Sequence, residues 1–151
     1  MKVVVDTNVL IDALNDNLSV TWKILELAHK GDVQFFASDK IVKEYKLIIR
    51  REVGKPKDKK TLERFIANVN IIRNTSHLRL ISEDHEDDKF VNLALSAKAE
   101  YIISSDRHIL DLREYENIKM VDPKDFYYLY KNQDDKDGSQ EWVNLFGNII
   151  K

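Results

Sequence analysis

The chain has 151 residues, of which 43% are hydrophobic and 33% charged, with a formal net charge of −2 and no cysteine. This size and composition predict one globular domain, and the absence of cysteine excludes disulfides, thiolate chemistry and cysteine-ligated zinc. No apolar run approaches the ~20 residues of a membrane span, and the first residues are too interrupted by acids for a signal peptide, so we expect a cytoplasmic protein with no membrane partner.

The first predicted element is a short buried strand at residues 2–5, where β-branched side chains form a continuous apolar run. Asp6 and the two polar residues after it are typical helix caps, and apolar residues then recur at helical spacing. A second helix is predicted over residues 20–30, with Gly31 ending it. The N-terminal part therefore begins as a strand followed by two helices.

The middle of the chain continues this alternation. Residues 33–36 predict a second strand, and Ser38 then caps a helix whose apolar residues share one side. The turn at Gly54–Pro56 ends that pattern. Another helix is predicted from Leu62 through Ile72, and a strand is predicted over Leu78–Ile81.

The C-terminal half repeats the same order of elements. A run of acids ending at Asp88 opens a strong helix, because negative charge in a first turn complements the helix dipole. Strands are predicted at residues 101–103 and 118–121. A short helix follows Asp106, and another begins at Pro123, since proline suits the first helical position.

Strands that alternate with helices predict an α/β domain with a mainly parallel sheet covered by helices on both faces. We place this domain at residues 1–131. Residues 132–151 are predicted to be an acidic linker followed by an apolar C-terminal tail. Because the tail is too short to be helical by itself, it must pack on this domain, on a second copy or on a partner.

Acidic residues stand where ligands are bound in parallel sheets, just beyond the carboxyl ends of the strands. Asp6 directly follows the first strand, and Asp106 follows the strand at 101–103. Asp87 and Asp88 begin the helix that leads into that strand, and Glu44 interrupts a helix that is otherwise basic and apolar. Taken singly, each has a structural explanation as a cap, a first-turn acid or a surface acid.

Carboxylates that converge repel one another, by about 1 kcal/mol per pair at ~4 Å in water and about 4 kcal/mol at an effective dielectric of 20. A fold that gathers several of them needs a cation or protons in return. Oxygen ligands without histidine or cysteine suit Mg²⁺ or Mn²⁺. Such ions activate water and hold a phosphate in line, which predicts hydrolysis of a phosphodiester.

Four segments in this order resemble the motifs of PIN domains, and the resemblance covers roughly residues 2–130. These segments are Val3–Leu10, Ser38–Tyr45, Asp87–Ala94 and Ile103–Leu110. The similarity is closest to the bacterial VapC-like group of toxins from toxin–antitoxin systems. It implies a PIN-like α/β/α sandwich with a central, mainly parallel sheet.

The resemblance also implies a metal-dependent endoribonuclease with Mg²⁺ or Mn²⁺ as cofactor, RNA as substrate, a small antitoxin as partner and a homodimeric state. The metal-binding and catalytic acids would be Asp6, Glu44, Asp88 and Asp106. Supporting positions would be Asn8, Ser104 and Asp87. Asp88 is preferred to its neighbour because it precedes the following helical segment at the spacing that the family shows.

Basic residues are concentrated between Lys40 and Arg64. This segment contains ten Lys or Arg and four Asp or Glu, so its net charge is +6, and the net charge of the rest of the chain is −8. A basic segment on an acidic body predicts a contact site for a polyanion. A solvated helix face explains the pattern equally well. The residues assigned to RNA contact are Lys40, Lys43, Arg50, Arg51 and Lys55.

Two other functions compete with a nuclease. A phosphatase that attacks with Asp6 is disfavoured, because that class usually carries a second aspartate where this sequence has Asn8. A covalent aspartyl-phosphate would identify it. A PIN-like module that binds RNA or a partner without cutting is also disfavoured, since all four acids are present.

Overall fold

The computed structural model describes residues 1–16, 19–52, 54–73 and 85–133. The strands are β1 (Lys2–Val5), β2 (Gln34–Ser38), β3 (Asn70–Ile72), β4 (Tyr101–Ile103), β5 (Glu114–Tyr115) and β6 (Ile118–Val121). The helices are α1 (Thr7–Asn15), α2 (Val20–Glu26), α3 (Asp39–Glu52), α4 (Pro56–Asn68), α5 (His85–Ala97), α6 (Arg107–Leu110) and α7 (Pro123–Lys131). The predicted strand at Leu78–Ile81 and residues 134–151 of the predicted linker and tail lie outside the described residues.

The strands form one sheet in the order β3-β2-β1-β4-β6-β5. β1 occupies the middle, and Val4 is paired in parallel register with Phe36 of β2 and with Ile102 of β4. Val3, Val4 and Val5 are almost completely buried, as expected for a central parallel strand covered on both faces. All neighbours are parallel except β5, which runs antiparallel to β6. The mainly parallel sheet predicted from the sequence is therefore confirmed.

Helices cover both faces of the sheet. α5 packs across β1, β2, β3 and β4. The helices α1, α2, α3, α4 and α7 pack against one another, and α3 also contacts β2, so that they form the opposite layer. This arrangement confirms the α/β/α sandwich. No helix in the described part of the chain has the length and apolar character to cross a membrane.

The structure differs from the sequence prediction at two edge strands. β3 occupies residues that were predicted to continue a helix to Ile72, but α4 ends at Asn68 and Val69 adopts an extended backbone. β5 was not predicted at all. It forms a two-residue hairpin with β6, in which Glu116 and Asn117 both have positive φ, the backbone of a type I′ turn.

A smaller difference concerns the second helix, which was predicted to extend over residues 20–30. α2 ends at Glu26 and continues as a 3₁₀ turn over Leu27–His29. Gly31 follows with φ of 86°, the left-handed backbone that glycine adopts without strain. The predicted stop is therefore correct, while the last turn is tighter than an α-helix.

Candidate active site

Four acidic residues from four separate segments line one cleft of about 420 Å³. They are Asp6, Glu44, Asp87 and Asp106. Two of these residues follow parallel strands, so the cleft lies at the carboxyl edge of the sheet, where such sheets bind ligands. Basic residues line it as well, and we call this feature the acidic cleft.

Asp6 follows β1 and caps α1, and its side chain is only 3% exposed. Its Oδ2 accepts a hydrogen bond of 2.7 Å from Ser104 Oγ, and its Oδ1 accepts one of 3.3 Å from the backbone N–H of Asn8. Burial raises the pKa of the Asp6 carboxyl above its ordinary value, and the charge of Asp106 adds to that rise. The two hydrogen bonds and the charge of Lys89 lower the pKa, but they do not cancel the effect of burial.

Asp106 follows β4 and caps α6, where its Oδ1 accepts a 2.9 Å hydrogen bond from the backbone N–H of His108. Its own backbone N–H donates to Ser104 Oγ at 3.0 Å. Ser104 is completely buried, and its hydroxyl joins the two acids that follow adjacent strands, because it bonds both to Asp6 and to the backbone of Asp106. Asn8 lines the wall of the cleft, and the supporting roles of Ser104 and Asn8 stay predictions.

Glu44 comes from α3, whose first turn is capped by the predicted Ser38, with Ile41 N–H donating to Ser38 Oγ at 3.2 Å. Its Oε2 accepts a hydrogen bond of 3.2 Å from Thr7 Oγ1. The neighbouring Tyr45 is 1% exposed and donates to the backbone carbonyl of Val5 at 2.5 Å. This bond ties α3, which carries Glu44, to the end of β1 next to Asp6.

Asp87 and Asp88 both lie in the first turn of α5 and are buried, but only Asp87 lines the acidic cleft. Consecutive helix residues point about 100° apart, so the two adjacent acids face different directions. The backbone carbonyl of Asp88 accepts a hydrogen bond of 2.9 Å from Asn92 Nδ2. The structure thus brings Asp87, rather than the predicted Asp88, together with the other three acids.

The predicted RNA-contact residues are all exposed, yet they do not share one surface. Arg51 lines the acidic cleft. Arg50 lines a separate groove of about 540 Å³ between α3 and α4. Lys55 lines a third depression. Lys40 and Lys43 line neither the cleft nor that groove.

Sequence reasoning missed Lys89, which lines the cleft and places its Nζ 2.5 Å from Glu44 Oε1. The signal was its place two residues after Asp87, inside the segment that resembles the third PIN motif. Thr7, which bonds to Glu44, was likewise treated only as a capping residue.

Carboxylate oxygens are the ligands that Mg²⁺ and Mn²⁺ prefer, so the four acids suit such an ion in type. Burial raises the pKa of Asp6 and so disfavours its ionised form, a cost that a bound cation would offset. Within the described ranges, no three His, Asp or Glu side chains are grouped closely enough to hold a metal ion. The chemical type of these residues fits a hard divalent cation, while their described side chains are not grouped around one position.

The sequence model of the PIN domain family matches residues 2–108. The uncharacterized protein MJ1680 of Methanocaldococcus jannaschii is 30% identical over 139 residues, which cover 83% of this chain and 89% of that protein. The crystal structure of VapBC2 from Rickettsia felis bound to a DNA fragment from their promoter contains a similar chain, with a TM-score of 0.55 and 18% identity. That match covers 81% of this chain and 98% of the other, and at this identity it shows the fold alone.

Proposed function

This chain belongs to the PIN domain family, and from that premise we propose that it is a divalent-metal-dependent endoribonuclease and the toxin of a toxin–antitoxin pair. One observation carries the proposal. Four acids that are distant in the sequence line a single cleft at the carboxyl edge of the sheet. Such a set of oxygen ligands suits the hydrolysis of a phosphodiester with Mg²⁺ or Mn²⁺.

In the proposed mechanism, Asp6, Glu44, Asp87 and Asp106 hold the cation. When bound, Mg²⁺ or Mn²⁺ activates water and stabilises the negative charge on the scissile phosphate. Ser104 orients Asp6 through their 2.7 Å hydrogen bond and keeps it beside Asp106.

The cleft also contains a basic residue that could bind the phosphate backbone of RNA. Arg51 extends from α3 into the same cleft as the acids. Its guanidinium would bind a phosphate next to the scissile one, since arginine can donate two parallel hydrogen bonds to one phosphate. This contact would place the RNA strand across the acidic cleft.

The proposed partners follow from the family resemblance and from the fold. The similar chain of Rickettsia felis belongs to VapBC2, which was crystallised with a DNA fragment from the promoter. By analogy, we propose that a small antitoxin binds this chain and that the chain forms a homodimer. We also propose that it acts in the cytoplasm, where the RNA substrate is found. Expression of the chain alone would then slow growth, and co-expression of the antitoxin would restore it.

The decisive test is cleavage of single-stranded RNA with Mn²⁺ or Mg²⁺, repeated in EDTA. We expect Asp6→Asn, Asp87→Asn and Asp106→Asn each to lower activity at least about 100-fold, because the loss of a ligand exceeds the 10- to 100-fold effects of its supporting residues. Asp111→Asn is the matched control, since Asp111 is exposed at the end of α6. Full metal-dependent activity of Asp6→Asn would refute the site assignment.

The same assay decides between Asp87 and Asp88. Asp88→Asn should retain more activity than Asp87→Asn, because Asp88 does not line the acidic cleft. Since both residues are buried, thermal melts of the two variants are needed to separate a loss of folding from a loss of catalysis. If both variants fold and Asp88→Asn is the less active, the third metal-binding acid would be Asp88 rather than Asp87.

The second candidate function is an RNA- or partner-binding module that does not cut. It is favoured by one observation, namely that Glu44 is paired with Lys89. RNA binding without metal-dependent cleavage, unchanged by Asp106→Asn, would support this alternative over the nuclease.

A further inference from the structure

A positively charged side chain lies among the four acids of the cleft. Lys89 Nζ is 2.5 Å from Glu44 Oε1, and the two side chains are 21% and 30% exposed, respectively. The pair is therefore partly shielded from solvent, so its attraction is less screened than that of a fully exposed pair. The aromatic ring of Phe90 lies 5.3 Å from the same Nζ and also lines the cleft.

The influence of Lys89 extends beyond Glu44. Its charge also acts on Asp6, the most buried of the acids that line the cleft, where it favours the ionised carboxylate. Lys89 is carried by the first part of α5, two residues after Asp87, so it enters the cleft from the same helix as one of the acids. One ammonium group thus offsets negative charge that comes from at least two other segments.

Both carboxylate oxygens of Glu44 are engaged, Oε1 by Lys89 and Oε2 by Thr7 Oγ1. A divalent cation that binds to Glu44 on the Oε1 side must displace the ammonium group. We propose that Lys89 is a resident counter-cation of the acidic cleft, which competes with the divalent metal for Glu44. This inference rests on the proposed function, because that function requires the metal.

Competition of this kind lowers the affinity of the cleft for the metal while it limits repulsion between the acids in the metal-free protein. Because lysine carries its charge on a flexible stem of four carbons, Nζ can move away when the metal binds to Glu44. The metal concentration at which the cleft fills is then set by Lys89 as well as by the acids.

The test is the affinity of the full-length protein for Mn²⁺ alone, measured by calorimetry without RNA. Lys89→Met removes the charge and keeps most of the side-chain volume, and we expect it to bind Mn²⁺ about fivefold more tightly, the scale of a partly exposed ion pair. Lys89→Arg keeps the charge and should stay near the wild type. Lys98→Met is the matched control, because Lys98 follows α5 and precedes β4, at the opposite edge of the sheet.

A double-mutant cycle with Glu44→Gln separates competition at Glu44 from a general effect of charge. If Lys89 acts through Glu44, the gain produced by Lys89→Met should fall by more than half in the Glu44→Gln background. Lys89→Gln serves as a second neutral variant if Lys89→Met does not give a wild-type thermal melt.

Two results would overturn the inference. One is unchanged or weaker Mn²⁺ binding by both folded neutral variants, while the wild type still binds Mn²⁺ and cleaves RNA, which leaves the proposed function intact. The other is a wild type that neither binds Mn²⁺ nor cleaves RNA, together with neutral variants that do not bind Mn²⁺, in which case both proposals fail.

Discussion

The carboxyl of Asp6 is subject to opposing influences that all come from its immediate neighbours. Burial and the charge of Asp106 favour its protonated form, while Ser104, Asn8 and Lys89 favour the ionised form. Burial is the largest of these effects, so the pKa in the folded protein is above the ordinary value of 3.8. An ionised Asp6 is therefore less favourable in the folded protein than in the unfolded chain, unless a cation is bound.

This shift predicts how the stability of the metal-free protein depends on pH. For an acid whose folded pKa is raised, the folded state binds more protons than the unfolded state between the two pKa values. The contribution of Asp6 is thus most favourable below the ordinary pKa and is lost as the pH rises through the folded pKa. In EDTA at neutral pH, Asp6→Asn should be at least as stable as the wild type, with the difference shrinking towards pH values below the ordinary pKa of 3.8.

Urea unfolding of both proteins across this pH range measures the difference. Asp111→Asn controls for the loss of one negative charge at an exposed position. A wild type that is clearly more stable than Asp6→Asn at neutral pH in EDTA would show that the hydrogen bonds of Asp6 outweigh its burial.

Two of the predicted site residues lie in the cleft because their positions follow from strand ends. Asp6 directly follows β1, Asp106 follows β4 after two serines, and parallel strands bring such ends to one edge. The choice between Asp87 and Asp88 was less certain, because it depends on the rotation of α5 about its axis. Lys89 was missed for a related reason, since an ion pair across two segments is set by tertiary packing.

At the scale of an element, α3 presents one face to the acidic cleft. Glu44, Leu47, Ile48 and Arg51 all line it, and their spacing of three and four residues is that of one side of a helix. Arg50 lies on another side and lines the groove between α3 and α4. The basic segment seen in the sequence is thus divided between different surfaces by the helical repeat.

This division predicts different effects for two adjacent arginines. Arg51→Ala should weaken the binding of single-stranded RNA in EDTA and reduce the slope of log affinity against log salt by about 0.7, the value for one phosphate contact on a single strand. Arg50→Ala is the matched control and should change the slope much less. Fluorescence anisotropy at several salt concentrations measures both. Equal slopes for the two variants would mean that RNA does not cross the acidic cleft beside Arg51.

The edge strands are the elements that the sequence pattern did not predict. β3 has only three residues, two of them exposed, so no alternation of buried and exposed positions separates it from the preceding helix. β5 has only two residues, and its hairpin uses Glu116 and Asn117 in place of the Asn-Gly pair that would have indicated it. β1 and β4 were predicted because they contain continuous apolar runs, as expected in the middle of a parallel sheet.

At the scale of the whole molecule, the order of strands explains how distant residues meet. β1 and β4 are adjacent in the sheet although almost a hundred residues separate them in the sequence, and the N–H of Asp6 donates to the carbonyl of Ile103 at 2.9 Å. α3 follows β2, on the other side of β1, and carries Glu44 to the same edge. The site is therefore a consequence of parallel topology, which a sequence alone indicates only through the alternation of strands and helices.

The described elements share one hydrophobic core. That core extends from Val3 in β1 to Phe126 and Leu129 in α7. Residues 142–150 nevertheless include six large apolar side chains in the sequence, namely Trp142, Val143, Leu145, Phe146, Ile149 and Ile150. We predict that a second copy of the chain buries these side chains, because clustered apolar side chains mark interaction sites.

We therefore predict that the full chain is a dimer, that residues 1–133 are a folded monomer, and that both cleave RNA with the same metal dependence. Analytical ultracentrifugation over a range of concentrations measures the first two points, and circular dichroism checks that the shorter chain is folded. Trp142→Ala should weaken the dimer, because large aromatic side chains often dominate the energy of an interface. A dimer that persists in residues 1–133 would instead place the contact on the described surface, where Ile71 and Tyr128 are large exposed hydrophobic residues.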